Sequence, residues 1–205
     1  MSEPQLVVED ARLSENGHNI AAVLKRLKTD QSKFDDLMQA MAQIIPGLKK
    51  IDVAQNGRYL TLAFKQEQPG GGGVTFSATE ISEGALRALG IIVAAAEIKR
   101  EDLLLIEEPE VGIHPGAAHL LFDLLSKAAR HGAVLITTHS PDLLDAARDE
   151  EILVCDFRDG ATRIGPLAEA QRQVVKDGLF SVSELMRTEP LRIEGDPSPT
   201  VDPEA

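Results

Sequence analysis

Three short segments of this chain combine residue types that can do chemistry. The first, Leu103-Leu104-Leu105-Ile106-Glu107-Glu108-Pro109-Glu110, is an apolar run that ends in two adjacent carboxylates. Carboxylates at the carboxyl end of a buried strand lie where open α/β sheets place their ligand sites. One can hold Mg²⁺, which takes one or two carboxylates plus phosphate oxygens and water, and its neighbour can orient or deprotonate an attacking water. The plainer reading is a strand end with solvated acids. The second segment, Ala133-Val134-Leu135-Ile136-Thr137-Thr138-His139-Ser140-Pro141, is another apolar run with a histidine just past its end. A histidine there can contact a phosphoryl group, although a lone histidine is more often structural. The third, Ile81-Ser82-Glu83-Gly84-Ala85-Leu86-Arg87, is a small-residue turn that opens a helix. Free backbone N–H groups and the helix dipole suit such a terminus to an anion, and simple capping by Ser82 is the bland alternative. A fourth grouping, Glu107, Glu108, Glu110 and His114, offers ligands for a metal-dependent hydrolase. Against it, Glu107 and Glu108 point to opposite faces if the strand runs through both.

The pattern of apolar residues supplies the elements that must position these groups. Asn19 can cap a helix from Ile20 to Lys28, and Phe34, Leu37, Met38 and Met41 mark a second helix over Ser32 to Ile45, stopped by Pro46-Gly47. Asn56-Gly57 between alternating stretches signals a hairpin. Gln68 to Gly73 reads as a flexible loop and Val74 to Phe76 as a short strand. From Glu80 onward the pattern becomes helix 83–99, strand 103–106, helix 115–130, strand 133–137, helix 141–147 and strand 152–157. Asp159-Gly160 then turns the chain toward 162–164, and short helices follow over 168–176 and 182–187. Strand and helix alternate, so an α/β sheet of mainly parallel strands is expected. Residues 189–205 hold four prolines and five acids against one arginine and are expected to be disordered.

Composition narrows the function classes. The chain has 205 residues, a net charge of −12 and only 3% aromatics. Basic residues gather only in small clusters such as Lys25-Arg26-Lys28 and Lys49-Lys50, so direct DNA binding is not indicated, and DNA contact through partners is the form left open. The single cysteine, Cys155, excludes an intramolecular disulfide and a cysteine metal cluster. The polar start and the absence of a long apolar run argue against a signal peptide or membrane span, and a cytoplasmic location is expected.

In this order and spacing, the segments resemble the ABC-class ATPases, in the RecF/SMC-like "AAA family ATPase" branch also found in overcoming-lysogenization-defect (OLD) proteins. Ile81 to Ala85 matches the signature motif in its Ser-x-Gly form. Leu103 to Glu108 matches Walker B, Val111-Gly112-Ile113-His114-Pro115 matches the D-loop region, and Thr137 to Pro141 matches the switch-histidine loop. The resemblance implies ATP and Mg²⁺ as ligands. It implies that Glu107 helps hold Mg²⁺ where other ABC proteins more often carry Asp. Glu108 is then the catalytic carboxylate and His139 touches the γ-phosphate. Ser82, Glu83 and Gly84 bind the γ-phosphate of a nucleotide held on the opposite subunit, and Glu110, Gly112 and His114 line the dimer contact.

A P-loop reads Gly-x-x-x-x-Gly-Lys-Ser/Thr, and no Gly-Lys pair occurs in the sequence. The glycines at 70–73 lack a following lysine and a helix start. The resemblance therefore covers the C-terminal half of the family: a P-loop NTPase sheet incomplete at its N-terminal half, with a helical and hairpin lobe at 1–78, the ATPase core at 79–188 and the tail at 189–205. A truncated product, a split subunit and a fragment all fit. The resemblance implies that the P-loop strand lies beside strand 133–137, so its absence leaves an open apolar edge. A P-loop-bearing chain or a self-dimer is the expected partner. Two functions follow: an ATPase module completed in trans, or a non-enzymatic remnant that binds a partner. No acidic nuclease module of the OLD type follows the motifs.

Overall fold

The computed structural model describes residues 1–8, 12–68 and 70–196. The chain divides into two compact units, one ending at Thr138 and one beginning at His139, rather than at 78/79 as the change of sequence texture suggests. The reason is packing: the helix that follows residue 79 buries one side against the N-terminal elements and sets Ile91 against the segments 104–106 and 134–136, which joins both to one unit.

The first unit opens with β1 (Gln5–Leu6) and α1 (Ile20–Leu27), whose Ile20, Val23, Leu24 and Leu27 are buried. Asn19 does not cap this helix with its side chain. Instead Asn19 accepts from the Ser14 N–H and hydroxyl and donates to the Arg12 carbonyl. A free N–H at the helix start is met by Gln5, whose buried side chain accepts from the Ala21 N–H at 2.7 Å, as a buried donor requires. In α2 (Gln31–Ile44), Asp30 is the cap and accepts from the Lys33 N–H. The hairpin β2 (Leu48–Asn56) and β3 (Tyr59–Glu67) pairs Asn56 with Tyr59, and Gly57 in its two-residue turn has φ +59°, the left-handed geometry that matches strand twist. β4 (Gly73–Ser77) adds antiparallel to β3, so the glycine-rich segment is a hairpin connection. Above this sheet lies α3 (Glu83–Glu97), with Leu89, Ile92 and Val93 in the same core as Leu24, Met41 and Phe64.

β5 (Leu103–Glu107), α4 (Ala118–Ala128) and β6 (Ala133–Thr137) complete the first unit. The two strands pair in parallel, Leu103 with Ala133 through Glu107 with Thr137. Their inner face, Leu104, Ile106, Val134 and Ile136, packs on Ile91, Leu121 and Leu125 of α3 and α4. Their outer face is uncovered: Leu103 is 60% exposed, Leu105 63% and Leu135 49%. Strands expected to be buried on both faces are thus buried on one, because the described residues supply helices to one side only.

The second unit holds α5 (Pro141–Ala146), β7 (Leu153–Arg158), β8 (Ala161–Pro166), α6 (Glu169–Lys176) and α7 (Val182–Thr188). β7 pairs antiparallel with β8 through Asp159-Gly160, whose φ values are +52° and +77°. This corrects the expectation of mainly parallel strands. Only β5–β6 is parallel, and every other named strand pair is antiparallel. A tight Asp-Gly turn makes the local pairing of β7 with β8 the shortest closure available.

Residues 189–196 also depart from the expected disorder. Buried Gln171 donates to Glu189 and to the Pro190 carbonyl and accepts from the Arg192 N–H. Ile193 bridges to Leu167, and Asp196 pairs with Arg163 at 2.6 Å. Composition alone missed this because one buried glutamine organises the segment; the rest of the expected tail, 197–205, lies outside the described residues.

α5 is tied to α7 by Asp145, which accepts from the Ser183 N–H at 3.1 Å and hydroxyl at 2.6 Å. Partial burial works to raise the Asp145 carboxyl, but the Ser183 hydroxyl and N–H, with Ser181 and Arg187 behind them, outweigh it and hold the group below the ordinary aspartate range. A lowered folded value means stability that is present above the unfolded value and lost as pH falls through the folded one. Asp145 is solvent-exposed, which screens the interaction, so Asp145→Ala is expected to cost no more than about 1 kcal/mol at pH 7, from the two lost hydrogen bonds. The difference from wild type should close below about pH 4, as read by denaturant unfolding across pH.

Candidate functional site

The parallel register sets the first feature of the site. Because β5 and β6 run the same way and end together, Glu107 lies opposite Thr137. Glu107 also shares the uncovered face with Leu103 and Leu105, since alternate residues of a strand point the same way. Its side chain is exposed, and among the described residues no hydrogen bond or ion pair engages the Glu107 or Glu108 carboxylate.

The strand stops at Glu107, so the alternation that would send Glu108 to the opposite face ends there. Glu108 has φ +43°, a conformation that L-residues other than glycine adopt at a cost of about 1 kcal/mol. Several contacts hold it. The Glu108 N–H donates to the Thr137 carbonyl at 2.8 Å, and the Glu108 carbonyl accepts from the Val111 N–H at 3.1 Å. Pro109 is buried and fixes the next turn.

The first turn of α3 packs against the segment that follows. Ser82 caps the helix, accepting from the Ala85 N–H at 3.2 Å, and its hydroxyl proton stays available for an acceptor. Ser82 and Glu83 are exposed, whereas Gly84 is buried. A Cβ on Gly84 would overlap the Gly112 carbonyl oxygen. Gly84 is therefore required by the approach of residues 110–114 to the helix, and Gly112 has φ +77° there. This packing role is separate from the γ-phosphate contact that the motif resemblance implies for Gly84.

Glu110 is engaged within its own unit. Its Oε1 accepts from the Thr138 hydroxyl at 2.5 Å, and its Oε2 is buried with no hydrogen-bond partner among the described residues. The exposed His114 accepts from the Gly116 N–H at Nδ1, 3.1 Å away, so a neutral ring carries its proton on Nε2. Among the described residues no three or more of His, Cys, Asp and Glu gather as a metal cage. Free carboxylates without a cage fit Mg²⁺ held partly by phosphate and water.

The structure thus brings Ser82, Glu83, Gly84, Glu107, Glu108, Glu110, Gly112 and His114 into one unit. His139 is exposed, two residues past the end of β6, and begins the second unit just before Ser140 and α5. Two residues gained importance only in three dimensions. Arg87 donates from Nη2 to the carbonyls of Glu107 at 2.7 Å and Glu108 at 3.1 Å, and Thr138 bonds Glu110. Thr138 sits inside a matched segment and Arg87 two residues beyond one, but only tertiary contact reveals their partners.

Comparison with known proteins agrees with this architecture. The family described as "AAA domain, putative AbiEii toxin, Type IV TA system" matches residues 10–145, more than half of the chain. No curated protein matches the sequence. Solved structures share the fold, among them the following three. A chain from work described as "Structural biochemistry of ATP-driven dimerization and DNA stimulated activation of SMC ATPases" aligns with a TM-score of 0.53 at 13% identity, covering 77% of this chain and 96% of that one. The Smc head domain with an extended coiled coil bound to the C-terminal domain of ScpA, from Pyrococcus furiosus, aligns with a TM-score of 0.54 at 13% identity, covering 80% and 42%. An SMC head bound to the C-terminal winged-helix domain of ScpA aligns with a TM-score of 0.53 at 14% identity, covering 75% and 50%. The chain spans nearly all of the first and half or less of the other two, and at such identities the likeness is one of fold. No helix among the described residues is long and apolar enough to cross a membrane.

The Gly84–Gly112 contact carries a direct test. Gly84→Ala should cost about 2 kcal/mol or more, because the obstructing atom is backbone. Ala would be the better helix former at an open helix position, so an unchanged unfolding midpoint would refute the contact.

Proposed function

This chain belongs to the AAA-domain family, and on that premise we propose that it is an ATPase module of the ABC class, RecF/SMC-like branch, completed by a P-loop that another chain provides. The observation that carries the reading is the end of the parallel strand pair, where two unengaged carboxylates, Glu107 and Glu108, stand beside the capped start of α3. ATP with Mg²⁺ supplies the polarised phosphoanhydride when bound. Glu107 is the carboxylate suited to the metal, exposed at the strand end. Glu108 is suited to take a proton from the attacking water. The family resemblance assigns His139 to the γ-phosphate, which its imidazole could contact as a hydrogen-bond donor. At the start of α3 the Ser82 hydroxyl donates to a phosphate oxygen while its lone pair caps the helix, and the N–H groups of Glu83 and Gly84 add the donors that a first helical turn leaves free. That nucleotide belongs to the opposite subunit, and Glu110, Gly112 and His114 face the same contact.

The uncovered face of β5–β6 supports the need for a partner. Parallel sheets are covered on both faces in nearly all folds, and β6 pairs with no strand but β5 among the described residues. A P-loop-bearing lobe adds a strand at the free edge of β6 and lays apolar side chains over Leu103, Leu105 and Leu135. A self-dimer through this face is disfavoured by a net charge of −12 on each copy. The same face favours the second reading, a lobe that binds its partner without turnover, and DNA or other cargo enters through partners in either case.

Two outcomes separate the readings. With the P-loop-bearing chain recovered by affinity capture, Glu108→Gln should lower ATP turnover by about a hundredfold or more while preserving nucleotide-driven association. Equal turnover by the two proteins would leave the partner-binding reading in its place. Leu105→Lys should change the stability of the isolated chain by less than about 0.5 kcal/mol yet abolish capture of the partner, and retained capture would show that the partner binds elsewhere.

A further inference from the structure

Glu108 occupies a strained backbone position, and a strained residue that carries a reactive group persists only where its surroundings over-determine it. Glycine or asparagine would fill a left-handed position at lower cost. A glutamate there indicates that the carboxylate matters and that something holds the backbone. The Glu108 N–H to Thr137 carbonyl bond fixes one side of the residue. On the other side, the Glu107 and Glu108 carbonyls both turn toward Arg87, whose Nη2 lies 2.7 and 3.1 Å from them.

Arg87 stands one turn into α3, after Ser82 and Gly84. Gly84 beneath Gly112 brings the helix close enough for the guanidinium to reach the strand end. A side chain that bonds two successive carbonyls restricts the φ and ψ of the residue between them, here Glu108, and the charge on the guanidinium strengthens both bonds. Lysine offers a point charge on a flexible stem and matches this arrangement less well.

We infer that Arg87 is the positioning residue for Glu108: from the helix whose start is suited to an anion, it sets the left-handed backbone that aims the Glu108 carboxylate. The start of α3 and the carboxylate are then linked through one side chain, so an anion that shifts the first turn of α3 shifts Glu108 with it. This assignment deepens the ATPase reading and rests on it for its catalytic meaning, but the backbone link stands apart from turnover.

The experiment is NMR on the isotopically labelled full chain, as wild type, Arg87→Met and Arg87→Lys. Arg87 is exposed, so neither substitution removes core packing from α3. In Arg87→Met the Glu108 Cα and Cβ shifts should leave left-handed values, and amide exchange at Glu108 and Val111 should rise roughly tenfold or more. Leu104, Leu105 and Ile106 should stay unchanged, and Arg87→Lys should restore part of the protection. Unchanged Glu108 shifts and exchange in Arg87→Met would overturn the inference. So would equal acceleration along all of β5, which would mark Arg87 as a general structural contact. If Glu108 moves as expected while Glu108→Gln leaves turnover untouched, the positional link stands and the ATPase reading is the one that falls.

Discussion

The parallel ladder between β5 and β6 is the constraint on which the site depends. A parallel pair joined by a helical crossover brings both carboxyl ends to the same side. That shared end places the Glu107-Glu108 step opposite Thr137 and lets Thr138 reach Glu110. An antiparallel pairing of the same strands would have put the acids and the threonines at opposite ends. α4, which makes the crossover, also fills one face of the pair through Leu121 and Leu125.

Around that ladder the backbone does much of the positioning. Gly84 exists to let the Gly112 backbone rest on α3, and Glu108 pays a conformational cost that the Thr137 carbonyl and Arg87 offset. The turn that results releases Glu108 from strand alternation. The contrast with the hairpin turns is instructive. Gly57 takes its positive φ without strain because it has no Cβ, whereas Glu108 does have one and is gripped from two sides.

The same ladder leaves an unequal sheet. One face is closed by α3 and α4, and the other presents Leu103, Leu105 and Leu135 in line with Glu107. Whatever covers those leucines meets the carboxylate at the end of the row, so cover and chemistry share one surface. The second unit is built differently, as an antiparallel hairpin with three short helices, held by Asp145 on Ser183 and by Gln171 on residues 189–192.

Several features were legible in the amino-acid sequence because they rest on local chemistry. Asn56-Gly57 and Asp159-Gly160 specify turns through the left-handed backbone they tolerate, and periodicity marks α1, α2, α3 and the extents of β5 and β6. The motif order marked the acids, Ser82 and His139. Pairing was less legible than turns: Asp159-Gly160 marks the turn after β7, but the alternation of strand and helix still counts β7 among parallel strands until its ladder with β8 is seen, and a two-residue strand such as β1 carries no period. Nor could composition foresee that buried Gln171 would order residues 189–196. The sequence by itself determined which residues could do chemistry and which segments would be helix or strand, since both follow from side-chain type and near-neighbour spacing. Only the tertiary structure decided that Arg87 grips the end of β5, that Thr138 engages Glu110, and that one face of the parallel pair stays uncovered, because those outcomes depend on which surfaces meet across tens of residues of intervening chain.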